Sequence, residues 1–189
     1  MAILPIDNGR YGTKEMMEIF SEQRKVDYQL EIEGAAAISQ SEIGIISKNI
    51  GREIHKAAMS GKITAKRIKQ LEAKSDHDTA ALVESLAERC KKESRPWIHY
   101  GLTSNDLVDT SNSMQMRDAI RIIQPKVGKL GLVLTKNAVK HKNLPAVGRT
   151  HGQHASIISF GLKFANWAAE MSTHLERLDE IKKRILICK

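Results

Sequence analysis

The chain has 189 residues, of which 41% are hydrophobic, 28% charged and 4% aromatic. This suits one sizeable domain, or part of a larger one, with many charged helix faces. The formal net charge of +8 raises nucleic acid as a partner, but basic residues alternate with acids in "KRIKQLEAK" and "LERLDEIKKR" and few aromatics are available for stacking, so solvated helix faces are expected and nucleic acid is not. No apolar run reaches the roughly 18–20 residues that span a bilayer. "MAILPIDNGRYG" has no basic segment followed by an apolar one. Cys90 and Cys188 lie far apart without metal-ligand spacing, as expected for unpaired thiols in a reducing cytoplasm.

Taken in chain order, the hydrophobic spacing is helical almost throughout, and no segment alternates as a strand does. Residues 14–40 hold Met16, Met17, Phe20 and Leu30 at such spacing, with small residues at 35–37. Ile43, Ile46, Ile50 and Ile54 form a stripe ended near Gly61. Thr64 is placed to cap a short helix that buries Ile68 and Leu71. Residues 77–92 form another, with Leu82, Val83, Leu86 and Cys90 inward. "SRPWIHYG" breaks the pattern through Pro96 and Gly101.

A long helix is expected from Ser104, kinked at Pro125 and continued by Val127, Leu130 and Leu134. "KHKNLPAVG" reads as a loop. Ile158, Leu162, Ala165, Ala169, Leu175, Leu178 and Ile185 then argue one continuous helix over 156–189. At about 50 Å such a helix exceeds the roughly 40 Å diameter of a compact globule of this chain length. "RILICK" also contains no stopping residue. The expectation is that other chains cover this helix and that the architecture continues past residue 189.

Four stretches concentrate chemistry. "GRTHGQHA" (148–155) sets two histidines beside Arg149, Thr150 and Gln153, just before that helix. A histidine there suits a general acid or base, and the same residues also suit a helix start capped by Thr150 with exposed histidines. Zinc is not expected, because no acidic or cysteine ligand is nearby. "HYGLTSNDLVDTS" (99–111) gathers Gly101, Thr103, Ser104 and Asn105 at the opening of a helix. That arrangement fits a carboxylate or phosphate, or plain capping by Ser104 or Asn105. "SDHDTAALVESL" sets His77 between Asp76 and Asp78, so that a flanking carboxylate orients the ring or simply favours the helix N-terminus. "NGRYG" (8–12) puts the guanidinium of Arg10 beside the phenol of Tyr11.

Together, "RYG", the "HD" pair, "HYGLTSNDLVDT" and "GRTHGQHA" resemble the adenylosuccinate lyase branch of the fumarase/aspartase superfamily, from about Arg10 onward. Carboxymuconate-cycloisomerase-like members have similar motifs, and a non-catalytic helical assembly module is the competing class. The resemblance implies an all-α fold, with a small N-terminal helical domain (1–103) preceding the start of a long-helix bundle (104–189), four subunits sharing that bundle, and no metal or organic cofactor. It implies β-elimination of fumarate from adenylosuccinate to give AMP, and from the succinylated aminoimidazole-carboxamide ribotide.

By motif, His151 is the general acid toward the leaving amine. His77 is the second catalytic histidine, with Asp78 beside it at the substrate. Thr103, Ser104 and Thr150 hold the succinyl carboxylates, while Arg10 and Tyr11 hold the nucleotide phosphate. Two features depart from the family. Asp76 stands where a basic residue is common. The family's catalytic serine, on a mobile loop in its second half, has no counterpart in these residues, so this stretch alone is expected to be inactive.

Overall fold

The computed structural model describes residues 10–189. Asn8 and Gly9 of "NGRYG", with the rest of the N-terminal stretch, lie outside the described residues. The described residues divide into two compact units, residues 10–116 with 186–189, and residues 117–185.

In the first unit, α1 (Lys14–Ile19), α2 (Glu22–Glu42), α3 (Lys48–Ala58), α4 (Ala65–Ser75) and α5 (Asp78–Ala87) follow one another, then a 3₁₀ turn (Arg95–Trp97) and the first part of α6 (Ser104–Lys140). Local chemistry sets most of the starts. Ser21, Ser47 and Thr64 each accept the amide of the third residue on, those of Arg24, Ile50 and Arg67, which satisfies an orphan helix donor. The expected cap at Thr64 is therefore present. Val26, Leu30, Ala37, Ile54, Ile68, Leu71, Leu82, Leu86 and Leu107 share one core. α2 and α3 touch at Gly51, where a Cβ would lie 2.8 Å from the Ala37 carbonyl oxygen.

The isoleucine stripe is not one helix. α2 runs on to Glu42, Gly44 turns the chain at φ +80°, and α3 begins only after Ser47. Ile43 is 73% exposed, whereas Ile46 and Ile54 are buried. Spacing of three and four matched helical periodicity across a turn that the left-handed glycine creates. The helix expected over 77–92 is shorter, ending at Ala87.

In the second unit, α6 continues through Pro125 to Lys140 without interruption. Strands β1 (Pro145–Thr150) and β2 (Gln153–Ser159) pair antiparallel, and α7 (Phe160–Ile185) follows. The Gln124 amide donates to Asp179 at 2.9 Å and Lys182 donates to the Gln124 oxygen at 2.5 Å, tying α6 to α7. Asp179 also accepts from Lys182, which holds its carboxyl below the usual range.

The hairpin corrects two expectations. "KHKNLPAVG" is not wholly a loop, and residues 156–159 are strand, so the last helix spans Phe160–Ile185 instead of 156–189. The fold remains helical, with this hairpin as its only sheet among the described residues. Ile158 and Leu162 are four apart, a helical interval, yet they fall on either side of a strand-to-helix junction.

Candidate active site

The octad "GRTHGQHA" forms a hairpin end, not the mouth of a helix. Thr150 pairs with Gln153, leaving His151 and Gly152 as the two turn residues, with φ +51° and +74°. Two positive φ values in a two-residue loop are the requirement of a type I′ turn, where Asn-Gly or Asp-Gly is usual. Histidine in this conformation costs roughly 1–2 kcal/mol, because its Cβ crowds the backbone. The turn therefore holds an imidazole at the exposed tip of a hairpin against local preference. Thr150 is the last β1 residue and caps no helix.

The hairpin is anchored at its base. Between Val147↔Ile157 and Arg149↔His154, two steps along β1 oppose three along β2, so a bulge lies opposite Gly148. There a Cβ would come within 3.0 Å of the Ser156 carbonyl oxygen. Ser159 donates its hydroxyl to the Lys142 carbonyl at 2.6 Å. The Phe160 and Gly161 amides donate to the Leu144 and His141 carbonyls at 2.8 and 3.0 Å. Gly161 allows this approach, since a Cβ would sit 2.4 Å from the Ala138 oxygen.

In the first unit, His77 is the N-cap of α5. Its Nδ1 accepts the Ala80 amide at 3.3 Å, so in the neutral ring the hydrogen sits on Nε2. Asp78 Oδ1 lies 3.7 Å from that Nδ1 and accepts the Thr79 amide at 2.7 Å. The backbone of α5 thus orients the imidazole, and the neighbouring carboxylate serves the helix start. Asp76 closes α4 in the left-handed region, φ +51°.

Thr103 precedes the first residue of α6, Ser104. Its amide donates to Asp106 Oδ2 at 2.7 Å, the return half of a capping box. Thr103 is exposed and Ser104 half-buried. The Arg10 guanidinium carbon is 5.5 Å from the centroid of the exposed Tyr11 ring.

The proposed residues thus form four pairs, each local in the chain. Arg10–Tyr11, His77–Asp78 and Thr103–Ser104 lie in the first unit, and Thr150–His151 in the second. Among the described residues no three His, Cys, Asp or Glu side chains are grouped to hold a metal ion, and no helix is long and apolar enough to cross a membrane.

A family model described as "Lyase" matches residues 9–189. The chain belongs to this lyase family. It is 44% identical, over 99% of its length, to an adenylosuccinate lyase from Methanocaldococcus jannaschii. It is 40% identical over the same share to one from Methanothermobacter thermautotrophicus. Among solved structures, a 3-carboxy-cis,cis-muconate lactonizing enzyme from Pseudomonas putida matches 98% of the chain with a TM-score of 0.90 and 28% identity. The chain spans about 40% of the length of the curated relatives it matches and 43% of the muconate enzyme.

As a lyase-family chain it has two polar side chains near these motifs that the sequence reading missed. His99 opens "HYGLTSND", at φ +61°, and Glu33 of α2 accepts from it. His99 was legible as a histidine inside a quoted motif. Glu33 was not, because it sits 66 residues away in a helix that reads as ordinary.

Proposed function

We propose that these residues serve an adenylosuccinate lyase, an enzyme that eliminates fumarate from adenylosuccinate to give AMP and from the succinylated aminoimidazole-carboxamide ribotide. The observation that supports it most is identity of 36–44% to several adenylosuccinate lyases along nearly the whole chain. The geometry agrees with that chemistry. His151, at the tip of a strained turn, is the general acid, because an amine leaves only when protonated and imidazole exchanges protons near neutral pH.

Removing the proton beside a carboxylate builds a doubly charged aci-carboxylate. Thr103, Ser104 and Thr150 are proposed to hold the succinyl carboxylates, with the amides opening α6 favouring their charge. His77 and Asp78 position the substrate, and Arg10 with Tyr11 holds the phosphate. No metal or organic cofactor enters this scheme.

The proposed division is an N-terminal part, 1–103, and a bundle-forming part, 104–189, that begins with α6. Leu130, Val133, Val139, Leu162, Trp167 and Ile181 are exposed apolar side chains on α6 and α7. They support assembly of the bundle between subunits as a homotetramer, and the proposed setting is the cytoplasm.

The deciding experiment measures fumarate release from adenylosuccinate by these residues complemented with the second-half segment that bears the family's catalytic serine. No release would sink the reading. The likeness to the muconate lactonizing enzyme supports a second reading as a cycloisomerase, which turnover of a carboxymuconate in place of adenylosuccinate would favour. A non-catalytic assembly module would bind neither AMP nor fumarate.

A further inference from the structure

The least expected group in the first unit is a carboxylate in its interior. Glu33 is 1% exposed, on a face of α2 that otherwise enters the core. Replacing a buried charge by an apolar side chain is often neutral or stabilising, so a carboxylate at such a site calls for a directional role. Both its oxygens are used on one residue. Oε2 accepts the His99 backbone amide at 3.0 Å, and Oε1 lies 2.5 Å from His99 Nδ1. Burial pushes the Glu33 carboxyl above its usual range, and the bonds from His99 act against that push.

The residue so gripped has φ +61°, in the left-handed region. It begins the turn that delivers the chain to α6. The Leu102 amide returns to the His99 carbonyl at 3.3 Å, and Gly101 follows the same handedness at φ +73°. A second side chain of α2, Gln40, donates to the Tyr100 carbonyl at 2.6 Å. The turn ends at Thr103. Two α2 side chains, about two turns apart on the same face, therefore fix the segment from which the proposed carboxylate-binding residues start.

We propose that Glu33 is a positioning residue of the candidate site. By accepting both N–H groups of His99 it keeps the ring hydrogen on Nδ1, so that in the uncharged ring Nε2 is the acceptor, and it locks the turn that sets Thr103 and Ser104. The tautomer follows from the pairing, because a carboxylate only accepts while Nδ1 must then donate. With its side chain 21% exposed, His99 is neither buried in the core nor freely solvated. The kinetic consequence rests on the lyase reading; the tautomer does not.

The test uses the chain labelled with ¹⁵N-histidine, complemented for kinetics with the second-half segment that bears the family's serine, the His99 signals being assigned by their loss in His99→Asn. In Glu33→Gln the side-chain oxygen can accept one N–H, and the amide then faces the other donor to donor. The expected result is a protein that melts cooperatively, with the His99 hydrogen moved from Nδ1 to Nε2 and kcat/KM for adenylosuccinate lowered about tenfold or more. A folded Glu33→Gln protein with an unchanged tautomer, or a changed tautomer and unchanged kcat/KM, would overturn the proposal.

Should Glu33→Gln not fold, His99→Asn decides the matter. Asparagine tolerates positive φ and keeps a side-chain donor for Glu33, but has no ring acceptor. Its kcat/KM should fall by a similar factor with the fold intact, and near-normal kcat/KM would reduce Glu33 to a structural role. A complemented wild-type protein that releases no fumarate removes the lyase reading, while the tautomer comparison still decides whether Glu33 governs His99.

Discussion

The Thr103 amide and the Asp106 carboxylate close on each other at 2.7 Å, while the Asp106 amide returns to the Thr103 carbonyl at 3.0 Å. This reciprocal pair fixes where α6 begins and how Thr103 enters it. Asp106→Ala removes the carboxylate half. Stability should fall by about 1 kcal/mol, the usual size of a capping interaction, read as a lower denaturant midpoint at unchanged slope. KM for adenylosuccinate should rise with it, and an unchanged KM would separate the cap from the substrate.

His151 allows strain and chemistry to be told apart. Asparagine accepts the left-handed conformation more readily than histidine but transfers no proton near neutral pH. His151→Asn should therefore be at least as stable as wild type, while kcat drops by ~10²-fold or more with KM little changed. His151→Ala should lose the same activity. Retention of near-normal turnover by either variant would remove His151 from the mechanism.

A phosphate remote from the reacting carbon is held about equally in ground and transition states. Arg10→Ala should accordingly raise KM more than it lowers kcat. An enzyme with unchanged KM for the nucleotide would show that Arg10 does not hold the phosphate.

Gly161 is where the first turn of α7 meets the end of α6. An added methyl would sit 2.4 Å from the Ala138 oxygen and 2.8 Å from the Lys142 nitrogen. Both are backbone atoms, which yield less readily than a side chain. Gly161→Ala should cost roughly 1–3 kcal/mol, as overpacking does, and should lower activity by shifting the base of the hairpin that bears His151. Equal melting temperatures for the two proteins would contradict this packing.

Cys90 is buried, and desolvation, helped by the Glu53 charge, pushes its thiol from an ordinary value of 9.0 up to about 11. Between those values the folded chain keeps a proton that the unfolded chain releases. The stability this contributes is complete below about pH 9 and is lost as pH climbs toward 11. Cys90→Ser, which does not ionise in that range, should flatten that alkaline decline. At pH 8, Cys90 should also react with a thiol reagent far more slowly than the exposed Cys188, and equal rates would show that the core around Cys90 is open.

Much of this protein was determined by its sequence alone, because the forces concerned act within a few residues. Ser104 marks the start of α6, Thr64 caps α4, and the three- and four-residue spacing of Ile68 with Leu71 and Leu82 with Leu86 puts them in the core. Caps and amphipathic spacing need no knowledge of distant neighbours. The four candidate motifs were legible for a related reason, since each keeps its polar side chains within a short run of chain.

What only the tertiary structure decided depends on partners far away. β2 is a strand because β1 supplies its hydrogen bonds, and nothing in the Ile158–Leu162 interval reveals that pairing. His151 consequently stands on a turn of two positive φ residues rather than at a helix N-terminus. Ile43 left the core because Gly44 turned the chain before the stripe could close. Glu33 and His99 meet across 66 residues, and only folding can bring a buried acceptor to two donors that far along the chain.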